Sequence, residues 1–375
     1  MSRTVYMHIG LAKSGTTYLQ HILQANRGLL EENGVLFPGP KMSEHFMAAL
    51  DVSGAALGGH RPPDTDGAWK RTADAANLFP GSTLISHEMF APMSQKTIGE
   101  ALESFGTSDV RVIVTARDFG RQVPAVWQER IKNGGQERYR DFLESLFGSE
   151  KGRRHQGGFW RMQYLVDISS RWAEVVGRER LTIVTVPQSA ADPRELWNRF
   201  AVATDLPRLD YSFDVGGRNR SLGVVESELL RRLNGGLSEL SWPQYVRRVK
   251  RRFAEDTLAV SSTSERLAVP RDYQERVKLV SDQTIEHLEQ LGCRVVGDFE
   301  DLRPLFKDPD PTTPDEVPES VVLELALGQL RGYVSRPPAP RTAADPGMGG
   351  TSSSAGGAGR ARGLRASLKA RLRSS

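Results

Sequence analysis

Short runs of apolar residues, many of them β-branched, recur along the first half of the chain, and most are apolar on both faces. Such runs are typical of parallel strands that helices cover on both sides. Five predict strands: Thr4–Ile9, Val35–Phe37, Thr83–Ser86, Val110–Thr115 and Leu181–Val186. Between them, apolar residues follow helical spacing in Tyr18–Glu31, Gln122–Lys132 and Tyr164–Val176. This alternation predicts an α/β fold with a parallel central sheet flanked by helices.

The strand pattern fades after Pro187, which predicts a helical C-terminal part. Helices are expected at Val224–Leu233, Trp242–Phe253, Tyr273–Leu291 and Glu319–Val334, with a short strand at Cys293–Val296. Pro- and Asp-rich residues follow Lys307, and Pro, Gly, Ser and Ala dominate from 337 to 359. These composition changes predict a domain over 1–306, a linker over 307–318, an isolated amphipathic helix over 319–334 and a disordered basic tail over 335–375.

Charge is distributed unevenly along the 375 residues, which carry a formal net charge of +4. Seven of the Lys and Arg residues but only one acid lie between Arg341 and Ser375, so the excess belongs to the tail and the body is nearly neutral. A basic pI therefore gives little support to nucleic acid as a partner. Leu364, Leu368 and Leu372 lie among basic residues of the tail. We expect a solvated terminus there, and weak contact with an anionic membrane surface is the alternative.

Cysteine content and hydropathy favour a cytoplasmic protein. Cys293 is the only cysteine, which excludes a disulfide framework. The sequence shows neither a secretory leader nor an apolar stretch long enough to cross a bilayer. It also shows no metal-ligand spacing, so we expect no metal.

The densest cluster of polar donors follows the first predicted strand. Lys13, Ser14, Gly15, Thr16 and Thr17 lie between that strand and a helix. A helix N-terminus offers free N–H groups to an anion, glycine permits close approach, and Lys and hydroxyl groups add donors. A generic capped turn is the alternative. A nucleoside-triphosphate P-loop fits less well, because Lys13 precedes Gly15 and the Gly-Lys-Ser/Thr core is missing.

Residues Lys13–Thr17 resemble the 5′-phosphosulfate loop of the sulfotransferases that use 3′-phosphoadenosine 5′-phosphosulfate (PAPS), which has the form Lys-Ser/Thr-Gly-Thr-Thr. His8-Ile-Gly before the loop and Leu19-Gln after it are also similar to bacterial members. Weaker similarity extends over about residues 4–305. The resemblance implies the sulfotransferase fold, related to that of P-loop proteins, with PAPS as co-substrate and no metal.

Arg117 ends the fourth predicted strand, at the edge where ligands bind in open α/β sheets. A surface ion pair with Asp118 is the alternative. The block resembles the family's 3′-phosphate motif, in which a strand-end Arg precedes a helical Ser by eight residues. Here Ala125 occupies that position, which leaves one phosphate contact without a hydroxyl. The resemblance suggests that Arg121, Gln122 or a later loop compensates, and Arg218 and Arg220 supply such a loop.

Transfer of a sulfuryl group to a hydroxyl requires a base and a cation for the leaving phosphate. Lys13 is the expected cation. Family members place a Ser-x-Glu segment where Ser86-His87-Glu88 stands here. Alternation along an extended strand puts Ser86 and Glu88 on one face and His87 on the other, so we expect Glu88 to be the base, with His87 second.

The function predicted from these features is PAPS-dependent transfer of a sulfuryl group to an acceptor hydroxyl by in-line displacement. The alternatives are a P-loop-type kinase or nucleotide-binding protein, and a non-catalytic binding protein on the same fold. The acceptor class stays open between small molecule, glycan and lipid, and so does the oligomeric state.

Overall fold

The computed structural model describes residues 3–56, 61–148, 158–188, 192–214, 221–306 and 310–335. The chain divides into two compact units, Met1–Gln329 and Leu330–Ser375. Arg218, Arg220 and the basic tail lie outside the described residues, so the predictions made for them stay predictions.

Six parallel strands form the centre of the first unit. They are β1 (Thr4–His8), β2 (Val35–Leu36), β3 (Ser82–Ser86), β4 (Asp109–Ala116), β5 (Leu181–Thr185) and β6 (Arg294–Val296). Their order in the sheet is β2-β3-β1-β4-β5-β6. All five predicted strands and the short sixth are present, and the α/β fold with a parallel sheet is confirmed.

Helices cover both faces of the sheet. The first six are α1 (Thr16–Ala25), α2 (Arg27–Glu32), α3 (Glu44–Ser53), α4 (Ala68–Leu78), α5 (Gln95–Glu103) and α6 (Phe119–Lys132). Further α-helices span Tyr139–Phe147, Gly158–Gln163, Leu165–Val176, Glu195–Ala203, Val224–Asn234, Trp242–Tyr245, Ala259–Ser261, Arg271–Leu291 and Glu319–Val334. A π-helix continues the Trp242 helix over Val246–Leu258.

Side chains that alternate along the strands enter two different cores. Val5, Met7 and Ile9 pack with α4, α5 and the Leu165 helix, whereas Tyr6 packs with α1, α2 and the Glu195 helix. Because successive side chains of a strand point to opposite faces, an apolar run on both faces produces this three-layer arrangement.

A third core lies among helices rather than on the sheet. Phe119, Val123 and Trp127 of α6 pack there with side chains of the Tyr139, Val224 and Arg271 helices and of the π-helix. The Pro- and Asp-rich segment predicted to be a linker is partly packed, since Thr313, Pro314 and Val317 are buried. Val322 of the Glu319 helix packs against Val224 and Val317.

The strand order reverses at β1, which lies between β3 and β4 although β2 and β3 follow it in the sequence. In open parallel sheets, ligands bind outside the carboxyl ends of the strands at such a reversal. The residues that follow β1, β3 and β4 therefore border the expected ligand position.

Candidate functional site

The loop between β1 and α1 crosses the reversal point. Gly15 lies in the left-handed region, with φ of 87°, and Lys13 does so as well, with φ of 67°. A Cβ on Gly10 would come within 2.6 Å of side-chain atoms of both His8 and Thr16. Glycine is thus required for close packing at position 10 and favoured by the backbone at position 15. The backbone strain at Lys13 coincides with the residue expected to carry the main charge.

Helix α1 begins without a side-chain cap. Gly15 occupies the N-cap position, no described side chain accepts from the first turn, and that turn contains no acid. The first N–H groups of a helix lack intrahelical partners and carry the positive end of the dipole. Thr17 in this turn is exposed. The start of α1 therefore has the features of an anion site.

A chain of buried hydrogen bonds fixes the loop to β3 and β4. Ser14 Oγ donates to Leu11 O at 2.5 Å and contacts Thr115 Oγ1 at 2.7 Å. His8 Nε2 lies 3.1 Å from Thr115 Oγ1, and His8 Nδ1 lies 2.7 Å from Ser86 Oγ. Because a hydroxyl has one proton, Ser14 does not donate to a phosphate while it donates to Leu11. In this arrangement Ser14 shapes the loop, and the direct contact predicted for it stays untested.

His8 is the centre of this network and is fully buried. Burial lowers its pKa to about 3, so the imidazole is neutral at physiological pH. Both ring nitrogens have partners, as expected for a core histidine.

Arg117 follows β4 and turns towards the loop. Its Nη1 donates to Lys13 O at 3.2 Å, whereas its Nε is buried without a hydrogen-bond partner among the described residues. Burial and then the charge of Arg121 lower the pKa of Arg117 to about 10, against an opposing effect of Asp118. A largely buried guanidinium with an unused donor is suited to receive an anion.

The alternative in which Asp118 pairs with Arg117 is wrong for this structure. Asp118 caps α6 by accepting from Arg121 N and forms an ion pair with the Arg121 side chain. Arg121 also donates to Pro187 O and Val186 O at the end of β5. Arg121 therefore holds α6 against the end of β5. Its side chain is not available to replace the hydroxyl that is missing at Ala125.

One face of α6 lies along the loop. Gln122 Nε2 donates to Ala12 O at 3.3 Å, and Glu129, two turns later, binds Lys13. Ala125 lies between them at helical spacing and is therefore on this face. Gln122 Oε1 is buried without a partner among the described residues, which leaves one acceptor beside the loop.

Lys13 shares the carboxylate of Glu129 with a second lysine. Lys13 Nζ lies 2.6 Å from Glu129 Oε2, and Lys250 Nζ lies 2.6 Å from Glu129 Oε1. Burial raises the pKa of Glu129, but Lys13 and Lys250 outweigh it and lower the pKa to about 2. Neither Glu129 nor Lys250 was predicted from the sequence. Lys250 lies 121 residues from Glu129, and no local motif connects the two.

Glu88 follows β3 on the other side of the loop. Its Oε2 is buried without a hydrogen-bond partner among the described residues. Burial raises the pKa of Glu88, whereas His87, a backbone hydrogen bond, Lys13 and His8 lower it, and the balance lies below the usual value. The charge of Lys13 therefore acts on this carboxylate, which is ionised at neutral pH.

His87 is used locally. Its Nδ1 accepts from Met89 N at 3.1 Å and caps the 3-10 turn Glu88–Phe90, and its ring contacts Phe46. Burial lowers its pKa, against a smaller opposing effect of Glu88. β3 ends at Ser86, so the alternation expected to continue to Glu88 stops before it. Glu88 itself begins the 3-10 turn that follows the strand.

The structure brings together the loop Lys13–Thr17, Arg117 and Glu88 at one edge of the sheet. Gly10, Thr115 and Gln20 support this edge, and the last donates from Nε2 to Ser86 O. In the described part of the chain, no group of three or more His, Cys, Asp or Glu residues is arranged to hold a metal ion. No helix in the same part is long and apolar enough to cross a membrane.

No protein-family model matches the chain, and no curated protein matches it. Among solved structures, a sulfotransferase from Alicyclobacillus acidocaldarius matches with 17% identity and a TM-score of 0.39. The match covers 58% of this chain and 87% of that one. At this level of similarity, the case for a function rests on the residues of this chain.

Proposed function

We propose that the protein is a sulfotransferase that moves a sulfuryl group from PAPS to an acceptor hydroxyl. The observation that carries the proposal is the position of the Lys13 loop between a half-buried carboxylate and a half-buried guanidinium, each with one buried atom that has no hydrogen-bond partner among the described residues. Arg117 contacts the loop directly, and the charge of Lys13 acts on Glu88. An anion site with a base on one side and a second cation on the other fits a donor with two anionic ends.

The residues present fit such a donor at both ends. The uncapped start of α1, together with Thr16 and Thr17, would hold the 5′-phosphosulfate end. Arg117 would bind the 3′-phosphate through its unused Nε and the rest of its guanidinium. Arg218 and Arg220 remain proposed contacts to the same end.

The proposed transfer is a single displacement in which the protein supplies a base and a cation. A bond forms between the acceptor oxygen and sulfur, while the bond between sulfur and the 5′-phosphate oxygen breaks. Glu88 takes the hydroxyl proton, and Lys13 neutralises the charge on the phosphate that leaves. Catalysis by these residues consists mainly of positioning and electrostatic stabilisation.

Glu88 is the better candidate for the base. Its Oε2 has no hydrogen-bond partner among the described residues and lies 3.9 Å from His87 Nδ1, whereas that Nδ1 accepts from Met89 N. The pKa of Glu88 lies below its usual value, so the carboxylate is ionised at neutral pH, as a base that takes a proton has to be. His87 then serves to fix the turn that carries Glu88.

Calorimetric titration with 3′-phosphoadenosine 5′-phosphate tests the proposal without knowledge of the acceptor. We expect binding in the absence of Mg²⁺ that is tighter than binding of 5′-AMP, because only the former carries the 3′-phosphate. Titration with ATP and Mg²⁺ is the control. Binding of Mg·ATP alone would overturn the proposal in favour of a kinase or nucleotide hydrolase.

A further inference from the structure

Two lysines occupy the two oxygens of a single carboxylate beside the anion loop. Lys13 binds Glu129 Oε2 and Lys250 binds Glu129 Oε1, both at 2.6 Å. The three side chains are only 24–32% exposed, so water screens these charges less than at an open surface. A third lysine, Lys132, lies close enough that the charges of Glu129, Lys13 and Lys250 act on its pKa.

The two lysines differ in how firmly the fold holds them. Lys250 belongs to the π-helix, whose Val249, Ala254 and Leu258 are buried in the helical core, and its Nζ also donates to Asn133 Oδ1 at 2.8 Å. Lys13 belongs to a loop and has a strained backbone. Between the two, Lys13 is the side chain that is able to turn away from Glu129.

Lys13 must loosen its pair with Glu129 if its charge is to neutralise the donor, because the carboxylate already neutralises it. Breaking a partly buried ion pair is costly chiefly because it leaves a charge without a partner. With Lys250 still bound, Glu129 keeps one cation after Lys13 has turned. A second lysine on the same carboxylate therefore lowers the cost of releasing the first.

We propose that Glu129 and Lys250 are positioning residues for Lys13: Glu129 holds it before the donor binds, and Lys250 retains Glu129 when Lys13 turns to the donor. This inference rests on the proposed function, since it assumes that Lys13 contacts the donor. It assigns no direct contact with the donor to Lys250.

A double-mutant cycle on the full chain separates this role from direct binding, with the dissociation constant of 3′-phosphoadenosine 5′-phosphate as the readout. Lys250→Met leaves Lys13 as the main partner of Glu129, so we expect affinity to fall roughly tenfold. Glu129→Gln in addition removes the carboxylate and frees Lys13. The double variant should recover the wild-type affinity or exceed it, and Lys250→Arg should retain most of it.

Each outcome of the cycle supports or overturns the inference. If Lys250 bound the donor directly, the double variant would stay as weak as Lys250→Met. If Lys250→Met lowered only the melting temperature and left the affinity unchanged, Glu129 and Lys250 would have only a structural role. Lys70→Met, which removes an exposed pair with Asp74, is the matched control and should leave affinity unchanged. Wild-type protein that fails to bind the nucleotide would contradict the proposed function itself.

Discussion

The two flanks of the Lys13 loop show the same organisation with opposite charge. On the β3 flank, Ser86 and His8 are hydrogen-bonded, and Glu88 keeps one unpartnered oxygen. On the β4 flank, Asp118 and Arg121 pair with each other, and Arg117 keeps an unpartnered nitrogen. Each flank thus pairs most of its structural polar groups and leaves one charged group with an atom that has no hydrogen-bond partner among the described residues.

A charged group that lacks a hydrogen-bond partner costs free energy of folding, so its position in the structure is informative. A buried donor or acceptor without a partner costs about 1–3 kcal/mol, and more if it is charged. Two such groups of opposite charge on either side of an uncapped helix start are expected where a ligand completes them. Under the proposed function, the β3 flank would take the proton and the β4 flank would bind the donor's phosphate.

Replacing the carboxylate on the β3 flank should give the largest effect. In Glu88→Gln the shape is kept but the base is lost, so we expect the transfer rate to fall about 10²- to 10⁴-fold. Nucleotide affinity should change little, because the proposal assigns nucleotide binding to the loop and the other flank. Rate assays with labelled PAPS and calorimetry measure the two quantities. A rate that survives in Glu88→Gln but fails in His87→Gln would move the base to His87.

Replacing the cation on the β4 flank should affect binding instead. Arg117→Met removes the guanidinium, and we expect affinity for 3′-phosphoadenosine 5′-phosphate to fall about 10- to 100-fold. Affinity for 5′-AMP should change much less. Arg111→Met, which breaks a partly exposed pair with Asp109, is the matched control. Equal losses for the two nucleotides would show that Arg117 does not recognise the 3′-phosphate.

Two buried histidines predict a pH dependence of stability: His8, and His45 of α3, whose Nδ1 accepts from Ser86 N at 3.1 Å. Burial lowers the pKa of His8 to about 3 and that of His45 to about 4. The unfolded chain therefore binds more protons than the folded protein below about pH 6.5. The free energy of unfolding should decrease as pH falls from there, to about pH 4 for His45 and about pH 3 for His8, by up to about 1.4 kcal/mol per pH unit for each histidine.

Chemical denaturation at several pH values measures this loss, and NMR of the imidazole signals identifies the groups. The imidazoles of His8 and His45 should stay neutral down to about pH 4 to 5, so their NMR signals should not shift above that pH. If both titrate near 6.5, the hydrogen-bonded network drawn around His8 is incorrect.

The smallest effect should come from the loop hydroxyls. Thr17 is exposed in the first turn of α1, so Thr17→Val removes a donor to the phosphate and should weaken nucleotide binding about fivefold. Ser14→Ala should instead lower stability, because Ser14 Oγ is bonded to Leu11 O and Thr115. Calorimetry and thermal melts on both variants separate the two roles, and the reverse pattern would assign phosphate binding to Ser14.

Periodicity in the sequence predicted the sheet because its strands are apolar on both faces, from Thr4–Ile9 to Leu181–Val186. It missed α3, α4 and α5, in which the apolar residues are small or their spacing is interrupted. It also predicted one helix where the structure has α1 and α2, because the chain bends at Asn26. The loop Lys13–Thr17 and Arg117 were predictable because local chemistry marks them.

The rest of the site depends on tertiary contacts. Glu129 is two turns beyond Gln122 on α6, but its pairing with Lys13 follows from how α6 lies along the loop. Lys250 arrives from a π-helix that periodicity read as an ordinary helix. The sequence alone makes Arg121 a candidate for binding the phosphate. In the structure its side chain is engaged instead by the carbonyl groups of Val186 and Pro187, which follow β5.

An assay of labelled sulfuryl transfer from PAPS to acceptors in a cell extract, with wild-type protein and Glu88→Gln side by side, shows whether the protein is a sulfotransferase that uses Glu88. Mass spectrometry of the products then identifies the sulfated compound. We expect a sulfate ester that forms with the wild type, depends on PAPS, and is nearly lost in the variant although the variant still binds 3′-phosphoadenosine 5′-phosphate. Equal product with both proteins, or none with the wild type across a broad set of acceptors, would contradict this expectation.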